Sequence, residues 1–414
     1  MKRLAFLLLM LPVYLMAGEY TLEQMINYGL SHSYSVQRNE LNAKSSLSNL
    51  NSAKWNLLPD AMLTAGVDKD FDPVIQNKDL SSSAGISISK TISLNDAAYF
   101  NYRQSSIENE SAKLRLEQSN RDYAYQVFSA YVDVLSASKR QESLQENLAI
   151  QTRVWEQNKV LLQLGKTTPF EVKQSEIAVM NSRIGIIQLE NSIASARNKL
   201  FALVQMQDEG FDLADIEVHT DKEAPAFTTS GVTELKILEH DLKKADLNLK
   251  QSFLDYLPKV SVGYSFARRV GGEDFEFDSY STNHGVNLSL SYSLWNQFKN
   301  RESDIRTKIS RHITKLSYDD TKDQLERDYA DMNRELQYLV RLDELYSERL
   351  AQSREQIKQG EERYKLGLIQ LLELDKTRTE YIDADIAYNA NRYQIIAKQE
   401  AINKLLSQQI LGKW

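Results

Sequence analysis

The sequence predicts a mainly helical fold, laid out twice in tandem, with a small β part whose strands have one apolar and one small-polar face. Three observations carry this. Only 6 prolines and 15 glycines punctuate 414 residues, so few and long elements are expected. Between Pro258 and Leu294 the residues Val260, Val262, Tyr264 and Phe266, and then Val286, Leu288, Leu290 and Tyr292, alternate with serine, glycine, asparagine and alanine. A period of two sustained this long predicts two strands. Finally, the same order of landmarks occurs twice.

The first eighteen residues place Lys2 and Arg3 before the apolar run LAFLLLMLPVYLM and the small pair Ala17-Gly18. Residues 1–18 therefore predict a signal peptide, its apolar run being shorter than the ~20 residues of a spanning helix. Its loss takes the formal charge from −7 to −9, an acidic balance that argues against nucleic acid as partner. Zero cysteines exclude disulfides, thiolate metal sites and a lipidated cysteine. With no second long apolar run, a membrane location requires strands.

Residues 21–57 predict a helix, opened by a Thr21/Gln24 capping box and closed by Pro59. Alternation then predicts strands at about 59–69 and 84–94, where Lys90 interrupts the apolar face. A lysine there needs an interface within reach of its stem, or a face that is not wholly lipid. Residues 95–164 contain neither proline nor glycine, and such a helix would be ~105 Å long at 1.5 Å per residue. LGKTTP at Leu164–Pro169 turns the chain into a second helix, giving a hairpin over 95–207.

Residues 208–230 are acidic and turn-like and read as a linker, after which the order restarts. A helix over 232–257 precedes strands at about 258–268 and 284–294 and a second long hairpin over 299–411. Leu325, Tyr329, Met332, Leu336, Leu339, Tyr346, Leu350, Ile357 and Tyr364 trace a heptad seam with gaps at Asp343 and Ser353. YLPKVSVG matches LLPDAMLTAG (258 − 59 = 199), and LGLIQLLELDKT matches LGKTTPFEVKQS (367 − 165 = 202). Nearly constant offsets predict two repeats, 19–207 and 231–414, joined by the linker.

Trp55, Tyr99, Phe100, Tyr256 and Trp295 sit where helix meets strand, the position of an interfacial aromatic girdle. Ordinary core aromatics at packed junctions are the plainer alternative. Four tilted strands leave two open edges, and open edges cannot face lipid. Closure therefore needs two chains for eight strands or three for twelve. In either case Val260, Val262, Tyr264, Phe266, Leu288, Leu290 and Tyr292 would face lipid and the serines a wet lumen.

In this order and spacing, from Thr21 to about Leu411, the chain resembles the TolC-like outer-membrane efflux proteins, the outer membrane factors. The resemblance implies a homotrimer whose twelve-stranded outer-membrane β-barrel continues into a long periplasmic α-helical barrel. It implies a passive exit duct of a tripartite efflux or type I secretion system, docked to a periplasmic adaptor (membrane fusion) protein and, through it, an inner-membrane transporter. Gly165 and Gly367 match the tip glycines, which makes Leu164, Gly165, Leu366 and Gly367 candidate adaptor contacts. Glu373 falls where relatives narrow the periplasmic mouth with acids, but the next such position holds Lys376, beside Asp375. Tyr364 and Glu171 match the tyrosine and acid of a latch whose arginine position here is Ile369.

Chemistry of another kind finds no support in the sequence. His32, His219, His240, His284 and His312 are scattered, without metal-ligand spacing. Paired acids such as Asp319-Asp320 and Glu361-Glu362 lie on helices among lysines and arginines, as surface ion pairs do. Neither an enzyme nor a cofactor is expected. The rival reading is a soluble periplasmic coiled-coil protein, structural or adaptor-like.

Overall fold

The structure, a computed structural model, describes residues 19–69, 80–217, 225–273 and 279–411. The expected signal peptide and residues 218–224 of the expected linker lie outside the described residues. Helices α1 (Leu22–His32) and α2 (Tyr34–Trp55) lead to strands β1 (Asp60–Lys69) and β2 (Leu80–Ser93), the long α3 (Ala97–Gln163) and α4 (Pro169–Val204). After a single 3₁₀ turn at Thr229–Gly231 come α5 (Thr233–Leu254), β3 (Lys259–Glu273), β4 (Ser279–Ser291), α6 (Asn296–Lys365) and α7 (Leu371–Leu405). Among the described residues no helix is long and apolar enough to cross a membrane.

The chain divides into two compact units, and α3 and α6 contribute to both. The first comprises Met1–Gln37, Ser119–Thr228 and Leu325–Trp414. Its main core joins Met25 and Ile26 of α1, Phe128 and Tyr131 of α3, Leu200 of α4 and Ile396 of α7. Thr21 opens α1 with the expected box, its hydroxyl accepting from Gln24 N at 3.2 Å while Gln24 Oε1 accepts from Thr21 N at 3.1 Å. The single helix expected over 21–57 is broken, however. Ser33 is extended (φ −64°, ψ 129°); its amide closes α1 on Gly29 O at 2.8 Å and its carbonyl accepts from Gln37 N at 3.0 Å. A serine side chain that bonds locally, here to Ser35 Oγ at 2.9 Å, favours such a junction over a helix interior.

The heptad seam of α6 faces inward: Leu336 and Leu339 pack on Ile395 and Ile402 of α7, and Ile357 packs on Tyr381 and Ile382. Of its two gaps, Ser353 is buried and Asp343 accepts from Asn391 Nδ2 at 3.3 Å. The segment after α4 is held down by backbone pairing, with Tyr20 N donating to Asp212 O at 2.9 Å and Ala214 N to Tyr20 O at 3.0 Å. Tyr131 places its hydroxyl 2.7 Å from Tyr20 O and 2.6 Å from Ala214 O. Burial pushes that phenol well above its ordinary pKa.

The second unit, Arg38–Gln118 and Thr229–Gln324, holds one antiparallel sheet in the order β1-β2-β3-β4. β2 and β3 pair from Ser81↔Glu273 to Ser93↔Ser261, so strands from the two halves of the sequence lie side by side at the centre. β1 and β4 form the edges. β2 begins at Leu80 and β3 runs to Glu273, so pairing extends past the alternating apolar stretches, as a ladder of backbone bonds permits whatever the side chains. Helix contacts follow the strand order. α3 meets α5 through Gln104–Asn248 (2.6 Å) and Lys244–Glu108 (2.5 Å), and α5 meets α6 through Arg311–Asp246 and Ser252–Asp304 (3.4 Å).

Candidate functional site

Two places carry the chemistry: the faces of the sheet in one unit and the hairpin turns in the other. Because directly opposed residues share a face, the register sorts every strand at once. Leu288↔Val262↔Ile92 is one cross-strand row, and Leu63↔Ile86 and Ile88↔Phe266 lie on the same face. Ser289↔Ser261↔Ser93 is a row of the other face, joined by Asn287↔Gly263↔Thr91. Ser261 and Ser289 hydroxyls are 2.6 Å apart, so the polar rows bond laterally as well. Val260, Val262, Tyr264, Leu288, Leu290 and Tyr292 are all exposed in the single chain and Phe266 half-buried, with Leu288 at 74%.

Lys90 stands opposite Tyr264 on the apolar face. It is one residue beyond the last β1 pair, Asp60↔Ser89, and its Nζ donates to Asn56 O at 3.2 Å, at the end of α2. The lysine thus runs its stem along the sheet and delivers its charge to a helix-end carbonyl. Trp55, Tyr99 and Trp295 are exposed and Tyr256 half-buried, but Phe100 is only 5% exposed and packs edge to face on Tyr99 at 5.7 Å. Phe100 is therefore a packed core ring, the alternative that the sequence left open for this position.

At the turn after α3 Gly165 N donates to Leu162 O at 3.0 Å and Lys166 N to Leu161 O at 2.8 Å; at the turn after α6 Gly367 N donates to Tyr364 O at 2.9 Å and Leu368 N to Arg363 O at 2.9 Å. These are the reversed bonds that end a helix on a left-handed residue, and Gly165 (φ 65°) and Gly367 (φ 73°) supply it. Leu164 and Leu366 are left exposed beside them. Pro169 then starts α4 with Thr168 as cap. Glu171 closes the reciprocal box, its Oε2 accepting from Thr168 N at 3.3 Å and from the Thr167 hydroxyl.

The other candidate gate residues occupy the end of α6 and the start of α7. Tyr364 donates to Asn158 Oδ1 of α3 at 2.7 Å, and burial, then the charges of Glu171 and Asp375, raise its phenol. Glu373 is exposed on the first turn of α7. Asp375 instead turns inward to Arg378, at 3.5 Å, and Arg378 reaches Glu361 at 3.7 Å. Burial raises the Asp375 carboxyl above its ordinary range, against the pull of Arg378. With Ile369 at the expected arginine position, a cation enters this cluster from Arg378, which is 2% exposed.

Sequence reasoning passed over Arg378 and Asn158, yet both carry a signal. Leu371, Leu374, Arg378 and Tyr381 follow a 3,4,3 spacing, and all four are buried, so Arg378 is a charge at a coiled-coil core position. Gln151, Val154 and Asn158 repeat that pattern on α3, and Gln151 Oε1, Asn158 Nδ2, Trp155 Nε1 and Arg378 Nε are buried without a hydrogen-bond partner among the described residues. This interior mixes the apolar cluster of Val154, Leu371 and Leu374 with weakly satisfied polar groups, in contrast with the apolar core around Tyr131. Among the described residues no three His, Cys, Asp or Glu side chains could jointly hold a metal ion.

Solved structures share this fold. The outer membrane protein VceC from Vibrio cholerae superposes with a TM-score of 0.80 over 94% of this chain and 96% of its own, at 14% identity. The Neisseria gonorrhoeae MtrE outer membrane channel, in its open state, gives 0.78 over 94% and 89% at 16% identity. The Campylobacter jejuni CmeC outer membrane channel gives 0.76 over 93% and 85% at 14% identity. At such identities the likeness is one of fold. No curated protein sequence matches significantly. Residues 26–204 and 233–408, the greater part of the chain, match the outer membrane efflux protein family model, and the chain belongs to that family.

Proposed function

We propose that this chain is the outer-membrane exit duct of a tripartite efflux or type I secretion assembly, passively conducting substrates received from a periplasmic adaptor and an inner-membrane transporter. The observation that carries this reading is the sorting of the sheet: one face mainly apolar across four strands, broken by Lys90, Arg268 and His284, the other built largely from serine, threonine, glycine and asparagine, with β1 and β4 as the edges. An unpaired edge in hydrocarbon costs several kcal/mol per orphaned backbone group, so the sheet must close on copies of itself. Three copies give a twelve-stranded barrel, lipid outside and water within, with the helices extending it into the periplasm.

In the same reading Leu164, Gly165, Leu366 and Gly367 meet the adaptor. Glu373 narrows the mouth, while Asp375, Tyr364 and Glu171 belong to a latch to which Arg378 supplies the cation and Asn158 the acceptor. Envelope fractionation with size-exclusion chromatography and light scattering tests the duct. A detergent-dependent trimer from the outer-membrane fraction is expected. A soluble periplasmic species of any size would overturn the duct in favour of a coiled-coil structural or adaptor protein.

A further inference from the structure

The polar face of the sheet carries charge at its two ends, with Asp60 and Lys259 toward the helices and Asp68 and Glu273 toward the loops. Among the other described residues of that face Arg269 is the one charge. It stands in the row Thr64↔Gly85↔Arg269↔Ser281, an even number of residues from Ser261 (269 − 261 = 8) in an unbroken register. Glycine at position 85 leaves room for its stem: a Cβ there would lie 3.0 Å from Arg269 Cγ and 3.1 Å from Arg268 O. The Thr64 hydroxyl turns to Gly85 O, at 3.4 Å, and not to the guanidinium. Arg269 is exposed, and among the described residues no carboxylate or carbonyl holds its head group. Its neighbour Arg268 has the opposite placement. It lies on the apolar face in the row Ile86↔Arg268↔Thr282, with its guanidinium 5.1 Å from the centre of the Tyr280 ring.

We propose that Arg269 is an anion-selecting residue of the lumen, which favours the passage of solutes bearing carboxylate or phosphate groups. The inference rests on the duct proposed above and adds the charge class of solute that its strand region prefers. An arginine is always charged and presents five donors in a planar fork that matches a carboxylate or phosphate, and here nothing else occupies those donors. Its reach covers the whole bore. Twelve strands about 4.8 Å apart and tilted by about 40° enclose a wall of ~12 Å radius. That radius is close to the ~10 Å screening length at 0.1 M salt. Each copy contributes the same residue at the same level, so the guanidinium charges act on a solute at the axis as well as at the wall.

Planar-bilayer recording of the full-length protein tests this, with inorganic tripolyphosphate as the probe. In salt of about 0.01 M the anion-to-cation permeability ratio of Arg269→Gln is expected to fall several-fold below the parent's, and the difference to shrink at about 1 M, where screening acts within ~3 Å. Tripolyphosphate added on the side of the strand loops should block current through the parent and through Arg269→Lys, which keeps the charge, but not through Arg269→Gln. Arg268→Gln removes the same charge from the other face and should keep both the ratio and the block of the parent. Unchanged selectivity and block in Arg269→Gln, or an equal loss in Arg268→Gln, overturns the assignment and leaves the duct standing. A parent that inserts but conducts no ions overturns the duct and this inference with it.

Discussion

A lysine placed on either face of β4 gives the sharpest test of the sheet. β4 spans Ser279–Ser291, so Gly285 is its central residue, with Val286 next to the centre and Leu288 nearer the helix end. Val286 stands in the row Val286↔Tyr264↔Lys90 and Leu288 in the row Leu288↔Val262↔Ile92, both on the apolar face. Native Lys90 is tolerated because it reaches Asn56 O at the end of α2, but Val286 is farther along its strand from the helix than a lysine stem can span. Val286→Lys should therefore bear the depth-dependent cost of a cation against lipid, about 2–4 kcal/mol, and Leu288→Lys less, about 1–2 kcal/mol. Asn287→Lys and Ser289→Lys point to the polar face and should lie within ~0.5 kcal/mol of the parent. Urea titration of folding into lipid vesicles, read by tryptophan fluorescence and by the yield of inserted trimer, measures all four. Equal cost on the two faces, or a larger cost at Leu288 than at Val286, would refute the assignment of lipid and lumen.

Three further outcomes follow from the packing. Tyr131→Phe removes the hydroxyl shared by Tyr20 O and Ala214 O and should cost about 1–3 kcal/mol, read as a lower urea midpoint with an unchanged m-value. Arg197 holds Asp208 through bonds of 2.8 and 2.6 Å and so depresses the Asp208 pKa below its ordinary 3.8. That contribution is complete above the ordinary value and is lost as pH falls through the depressed one. Melting curves should therefore show the parent losing more stability across that acid window than Arg197→Gln, while near pH 7 the variant is the less stable by about 1.5–3 kcal/mol. Gly165→Ala and Gly367→Ala meet no atom within 4 Å, so the left-handed backbone alone should cost each about 1 kcal/mol. Hydrogen exchange should quicken at the altered turn while global melting barely moves; clash-driven unfolding would contradict it.

By itself the sequence determined whatever depends on neighbours along the chain. Period-two alternation marked Val260–Phe266 and Val286–Leu290 as strand, although β4 ends at Ser291, before Tyr292; scarcity of proline and glycine, with Gly360 as the exception in α6, marked the long helices, and Thr21/Gln24 marked a cap, because these preferences act over a few residues. Even Arg378 was legible as a charge at a seam position, although its partners Asp375 and Glu361 were not. Only the tertiary structure decided what distant residues do together. It set β2 beside β3, gave Lys90 the Asn56 carbonyl, turned Phe100 inward and brought Tyr364 to Asn158. Alternation fixes which side chains share a face but carries no information about which strand lies alongside. That choice is made by backbone hydrogen bonds and burial summed over the whole sheet, and it leaves β1 and β4 as the edges.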